Sequence, residues 1–372
     1  MKLTIERAAL LTSLGHVQSV VERRNTIPIL SNVQLDAGTS SLALTATDLD
    51  LAVIEKIPAK VSQPGATTVA AHTLYDIVRK LPDGSEVELT YTASDQRLSL
   101  RAGRSTFQLS CLPKEDFPVM ATGELPHSFT LQADALRRLI DKTRFAISTE
   151  ETRYYLNGIY LHAASNAGVP VLRGVATDGH RLARVEMPLP QGAAGIPGVI
   201  VPRKTVNELR KLLDASSASV QIGLSETKIR FGFEDVILVS KLIDGAFPEY
   251  ERVIPQGNDK VMEVDGKAFA AAVDRVSTIS TEKSRAVKLA LDKDRLILSA
   301  TSPEQGSASE EITVVYSAAA LEVGYNSRYL LDIAGQIEGE NAQFILADAL
   351  APTLVRDPAD ESTLYVLMPM RV

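Results

Sequence analysis

The chain has 372 residues, more than a single core of ordinary size accommodates, so about two or three domains are expected. Lys and Arg total 39 against 46 Asp and Glu, a net charge of −7, which excludes a wholesale basic coat and leaves any nucleic-acid contact to a local surface. The single cysteine, Cys111, and the 5 scattered histidines exclude a disulfide framework and zinc-ligand spacing, and no apolar run approaches the roughly 18 residues of a membrane span. With no signal pattern in MKLTIERAALL, the expectation is a cytoplasmic protein with a free, partly buried thiol and neither metal nor cofactor.

In chain order, LTIERAALLTSL from Leu3 alternates as a short strand and then turns helical, with Leu10, Leu14, Val17 and Val21 at helix spacing. LALTATDLDLA from Leu42 reads as strand, HTLYDIVRKL from His72 as a second helix, PDG at 82 to 84 as a turn, and LSCLPKEDFP from Leu109 as a closing strand. The same order then returns. FTLQADALRRLI from Phe129 places Leu136, Leu139 and Ile140 on one face, LRGVATDGHRLA follows from Leu172, KTVNELRKLL from Lys204 buries Val206, Leu209 and Leu213, and VSKLIDGAFP from Val239 closes the set. A third round runs from MEVDGKAFAAAV at Met262, with Phe269, Val273 and Val276 inward, through LILSATSPEQG at Leu296 and SRYLLDIAGQI at Ser327 to YVLMP at Tyr365.

Four matched blocks in one order, repeating about every 130 residues, define three homologous segments, 1–126, 127–254 and 255–372, joined near Pro126 and Pro255. Each is expected to be α+β, with two helices packed on antiparallel sheets. Opposite the apolar stripes the helices gather cations: Arg79 and Lys80 in the first segment, then Arg137, Arg138, Lys142 and Arg144 against Asp141, then Arg203, Lys204, Arg210 and Lys211. Charged helix surfaces are common, and cations near a helix C-terminus complement its dipole. Recurrence on repeated helices of a negatively charged chain points instead to a phosphate-facing surface. No zinc finger or RNP motif accompanies it, so contact would be independent of base sequence, salt-dependent and mobile.

Several motifs carry a closer likeness: RNTIPILSN at 24–32, RYYLNG at 153–158, ATDGHRLA at 176–183, VIVPRK at 199–204, SKLIDGAFPEYERVIP at 240–255 and VLMPMRV at 366–372. In these, over essentially its whole length, the chain resembles the bacterial β sliding clamp family, the processivity subunits of DNA polymerase III. The resemblance implies the DNA clamp fold, each chain forming half of a closed ring, as a head-to-tail homodimer around duplex DNA. Twelve helices spaced about 8 to 10 Å apart would enclose a hole on the order of 25 Å across, enough for a duplex with a water layer.

The resemblance also implies residue roles. Arg24 matches a DNA-contact position, with Tyr155 expected nearby, whereas Glu150 and Glu151 in the loop before RYYLNG would repel phosphate. Ring closure would bring an edge strand carrying Phe107 and Leu109 to the other subunit near Thr278 and Ile279. A partner-peptide pocket would be formed by Leu156, Thr177, Gly179, His180, Arg181 and Leu182, by Pro248, Arg252 and Val253, and by Val366, Met368, Pro369, Met370 and Arg371. Methionines there adapt to varied apolar side chains, and Arg252 or Arg371 could hold peptide carbonyls. Implied partners are the replicative polymerase catalytic subunit, the clamp loader, repair and translesion polymerases, and other proteins carrying a clamp-binding motif. No membrane partner is implied.

Two competing classes remain. A hydrolase could use Asp178 and His180, which at i and i+2 share one side of a strand, but G-x-S-x-G, a P-loop and a cysteine near a histidine are all missing from the sequence. A scaffold without DNA could use the same repeat, and would not bind circular DNA. The reading carried forward is a non-enzymatic clamp.

Overall fold

The computed structural model describes residues 1–23, 26–214, 219–280 and 285–371. Each repeat opens with an alternating strand that runs directly into a helix: Lys2–Glu6 into α1 (Arg7–Gln18), His127–Gln132 into α3 (Ala133–Thr143), and Lys260–Asp265 into α5 (Gly266–Ser277). The second helices are α2 (Ala71–Lys80), α4 (Arg203–Asp214) and α6 (Ser327–Ala334). Leu10, Leu14 and Val17 of α1 and Phe269, Val273 and Val276 of α5 are all buried, as the stripes predict. Val21 is buried too, but it lies beyond the end of α1 at Gln18. Local sequence sets two helix starts, because Asp265 accepts the Ala268 N–H and Asn326 accepts the Arg328 N–H, each satisfying a first-turn amide.

The chain divides into two compact units that do not follow the repeats. The first comprises Met1–Arg137, Pro190–Pro197 and Lys204–Leu242. It holds a 13-stranded antiparallel sheet in which Val236–Lys241 of the second repeat lies beside Leu51–Pro58 of the first, from Val236 opposite Glu55 to Ser240 opposite Leu51. Within it α1 packs on α2, where Gly15 faces Tyr75. The Cys111 thiol is free and buried here, as expected, and burial pushes its pKa up.

The second unit comprises Arg138–Leu189, Gly198–Arg203 and Ile243–Val372. Its 9-stranded sheet contains the equivalent junction, with Arg181–Pro188 of the second repeat beside Asp360–Leu367 of the third, from Arg181 opposite Leu367 to Val185 opposite Thr363. A 4-stranded sheet completes the unit, with Gly306–Thr313 at one edge and Leu321–Asn326 at the other. Here α5 packs on α6, and Phe269 meets Phe344 with ring centroids 5.0 Å apart. Among the described residues no helix is long and apolar enough to cross a membrane.

The glycine of RYYLNG has a packing reason. A Cβ on Gly158 would lie 2.2 Å from the Val201 carbonyl oxygen on the neighbouring strand Val199–Pro202, which is backbone and cannot rotate away. Gly158→Ala is therefore expected to lower stability by about 3 kcal/mol through overpacking. An unchanged urea midpoint would show that the two strands can separate without penalty.

Candidate docking pocket and basic faces

The strand Val169–Thr177 reverses through Asp178, Gly179 and His180 into Arg181–Pro188. The sequence writes this turn chemically. The Asp178 carboxylate accepts N–H groups from His180 (2.9 Å) and Arg181 (3.0 Å), while Thr177 Oγ1 accepts the Gly179 N–H (3.1 Å) and donates to the Arg181 carbonyl (2.7 Å). Gly179 sits at φ +88°, and a Cβ there would come within 2.5 Å of Arg153 Nη1. The first repeat makes the same turn with Asp48 and tolerates Leu49 at φ 78°.

Beside this turn lies a cavity of about 270 Å³. Nine expected residues line it: Leu156, Thr177, Gly179, Arg181, Leu182, Pro248, Val253, Val366 and Met368. Arg153, Tyr155, Glu249 and Tyr250 complete the lining. Its lining residues Leu182, Tyr250 and Val366 form a buried cluster with Val175, against which Tyr160 and Phe247 pack, their rings stacked 4.8 Å apart. The Tyr250 hydroxyl is pinned by Arg173 Nη1 (3.1 Å) and His162 Nε2 (3.0 Å). Arg173 is itself buried and pairs with Glu186 (2.6 Å) and Glu251 (2.5 Å), so the charge beside this cluster is compensated. Burial holds the His162 pKa below its usual value and raises that of Tyr250, which keeps both groups neutral.

Five residues assigned to the pocket by resemblance lie elsewhere. His180 faces a second cavity, where its ring stacks on Tyr329 at 6.2 Å. Met370 and Arg371 line a third, with the Met370 N–H bonded to the Gly324 carbonyl at 2.9 Å. Pro369 lines none of these three, and Arg252 is exposed and paired with Glu249. Strand alternation would put Met368 and Met370 on one side, but both lie past the end of the strand Asp360–Leu367, and the chain there sends Met368 to the first cavity and Met370 to the third. Arg153, Glu249 and Tyr250 were not among the expected residues although all three sit inside quoted motifs, RYYLNG and FPEYERV.

The hydrolase alternative loses its base. Asp178 is committed to two backbone amides and to Arg181 Nε at 3.1 Å, and His180 is held against Tyr329. Among the described residues no cluster of His, Cys, Asp or Glu could hold a metal ion.

The basic faces divide. Arg79 and Lys80 are exposed at the end of α2, Arg79 resting 5.8 Å over Tyr75 and pairing with Asp76 at 3.1 Å. Arg137 is half-buried, and Arg138 is engaged by Asp360 and Ser362. Lys142 departs from expectation: it is 4% exposed, its ammonium donating to the Gln336 carbonyl just past α6 and pairing with Glu338 at 2.8 Å. A cation at a helix C-terminus satisfies orphan carbonyls and the dipole, so Lys142 is a structural cap and not a solvent-facing charge. Lys204 reaches Glu22 and Asp48, Lys211 reaches Glu208 at 2.8 Å, Arg210 is half-buried and partnered, and Arg203 is exposed in the second cavity. Tyr155, expected near DNA, lines the pocket, and Arg24 lies outside the described residues. Glu150 is occupied by Arg153 at 2.6 Å.

Among the described residues, two of the open strand edges fall on strands equivalent to those at the junctions. Ser105–Leu112 pairs fully with Arg97–Ala102 on one side, but on the other only Cys111 and Leu112 are paired. Phe107 and Leu109 are half-buried on it, alternating with exposed Thr106, Gln108 and Ser110. Among the described residues Gly306–Thr313 pairs only with Arg295–Ser302. Thr278 is exposed and Ile279 half-buried just beyond α5.

Three copies of one strand–helix unit, joined by equivalent antiparallel strand pairs and carrying an apolar pocket and basic helices, define a DNA clamp fold. Three family models cover nearly the whole chain: the N-terminal domain of the DNA polymerase III beta subunit at residues 1–121, its central domain at 130–249 and its C-terminal domain at 251–371. The chain belongs to the family of DNA polymerase III beta subunits, the beta sliding clamps. It is 57% identical over 372 residues to the beta sliding clamp of Caulobacter vibrioides and 39% identical over 373 residues to that of Escherichia coli K12, with 100% of both chains covered in each case. Among solved structures, the sliding clamp of Bartonella birtlesii bound to griselimycin matches with TM-score 0.97, 53% identity and 100% coverage of both chains. A Caulobacter crescentus beta sliding clamp matches at TM-score 0.97 and 57% identity, covering 100% of this chain and 99% of the other.

Proposed function

We propose that two copies of this chain close head to tail into a ring that encircles duplex DNA and tethers a replicative polymerase, and other proteins bearing a docking peptide, through the cavity beside Gly179. The observation that carries the ring is a repeated strand pair. Val236–Lys241 with Leu51–Pro58, and Asp360–Leu367 with Arg181–Pro188, are the same junction used twice within the chain. The remaining members of the series are the open edges Ser105–Leu112 and Gly306–Thr313, and pairing them between copies would use the same junction again. A heterologous contact of this kind gives a ring when it closes after two copies. Pro126 falls in the gap between the first two family models, whereas Pro255 lies just inside the third, which begins at residue 251.

Arg79, Lys80 and Arg137 are the described cations we assign to a non-specific phosphate surface. The cavity offers a largely apolar site lined in part by Met368, suited to short hydrophobic peptides from more than one partner. One such site per subunit makes polymerases, the clamp loader and repair enzymes competitors.

The ring is tested by loading the protein on nicked circular DNA with the loader and then cutting the circle. A topologically linked protein stays through washing at moderate salt and leaves on linearisation. Retention on the linear product would sink the ring, and failure to associate with the circle would favour a scaffold without a DNA role.

A further inference from the structure

The turn at Asp178 to His180 separates two cavities, and Arg181 lines both. The second, of about 400 Å³, is also lined by Arg144, Arg203, Arg328 and His180. Its three carboxylates are already engaged: Glu150 by Arg153 at 2.6 Å, Asp178 by the turn amides, and Asp332 by Arg181 Nη1 at 2.5 Å. Arg181 is fully occupied, since Nη2 also donates to the Phe145 carbonyl at 2.6 Å and its Cζ lies 4.4 Å over the Tyr329 ring. Arg144 has Asp141 at 3.3 Å.

Two cations are left under-compensated. Arg203 makes no ion pair among the described residues, and Arg328 has only Asp332 at 3.9 Å, with 65% of its side chain exposed. Arg328 also breaks a local rule: it stands in the first turn of α6, where the helix dipole favours an acid and disfavours a cation. A charge placed against its local preference at the mouth of a cavity marks a ligand-facing group.

We propose that this second cavity reads a carboxylate side chain lying beside the apolar anchor of a docked peptide, with Arg328 and Arg203 as its charged partners. The inference rests on the pocket reading above and adds a specificity element to it. Arg181 lines both cavities, so the site of a segment seated against Gly179 and Leu182 shares a wall with the cavity that Arg328 lines. The planar guanidinium fork matches a carboxylate in a two-point contact.

The test uses the full-length protein and fluorescent peptides that share one apolar anchor and differ only by aspartate or asparagine a short distance to either side. At low salt an aspartate peptide is expected to bind about fivefold tighter than its asparagine twin, and the advantage should shrink as salt rises. In a variant carrying Arg203→Gln and Arg328→Gln, with its thermal melt checked, the ratio of the two affinities should fall to about one. Equal affinities in the unaltered protein, or a ratio that survives both substitutions, overturns the proposal. Displacement of the peptide by a short single-stranded oligonucleotide, with no aspartate advantage, would make the cavity a phosphate site and overturn it equally. If neither peptide binds, the pocket reading fails first and this inference with it.

Discussion

Replacing Phe107 and Leu109 together by aspartate is expected to convert a dimer into a folded monomer, with affinity between copies reduced on the order of 100-fold or more. Both side chains are half-buried in a single chain, on an edge strand whose outer partner is missing over most of its length. Within the chain their burial is incomplete, so the charges remain partly solvated and the fold survives. Across a closed junction they would be desolvated without a counter-ion, which costs several kcal/mol for each group. Sedimentation or light scattering at micromolar concentration checks the outcome, with circular dichroism as the folding control. A variant that still sediments as a dimer would move ring closure away from this edge. Because the edge Gly306–Thr313 is the expected counterpart, aspartates there should give the same monomer.

The second large effect is at the pocket. Val253→Asp is expected to weaken binding of a polymerase docking peptide by about 10- to 100-fold while leaving the dimer and the melting temperature nearly unchanged. Val253 lines the cavity yet is 46% exposed, so a carboxylate there stays hydrated in the free protein. Seating an apolar peptide would strip that hydration. By contrast, substituting Leu182 or Val366 would disturb the buried cluster and confound binding with stability. Peptide titration by fluorescence anisotropy reads the effect directly, and unchanged affinity would place docking elsewhere.

Much of this was legible in one dimension. Homologous segments repeat their patterning, so the three strand–helix openings could be found without coordinates, and the apolar stripes are buried, with Val21 alone lying past the end of its helix. The turn at Asp178 is equally local chemistry, acting over three residues, yet the sequence reading put Asp178 and His180 on one side of a strand, and the structure instead breaks the strand there.

Lys142 belongs to the other kind of information. On its own helix it reads as one more surface cation, and its true partner, the Gln336 carbonyl, lies 194 residues away. The same holds for Tyr155, His180, Arg252 and Met370, whose motifs were recognised but whose sides were not. Periodicity and turn chemistry are short-range and written in neighbouring residues, so the sequence by itself determined the repeat, the helices and their buried faces. Which cation meets solvent, and which residue faces which cavity, depends on groups brought together from distant segments, and only tertiary packing decides that.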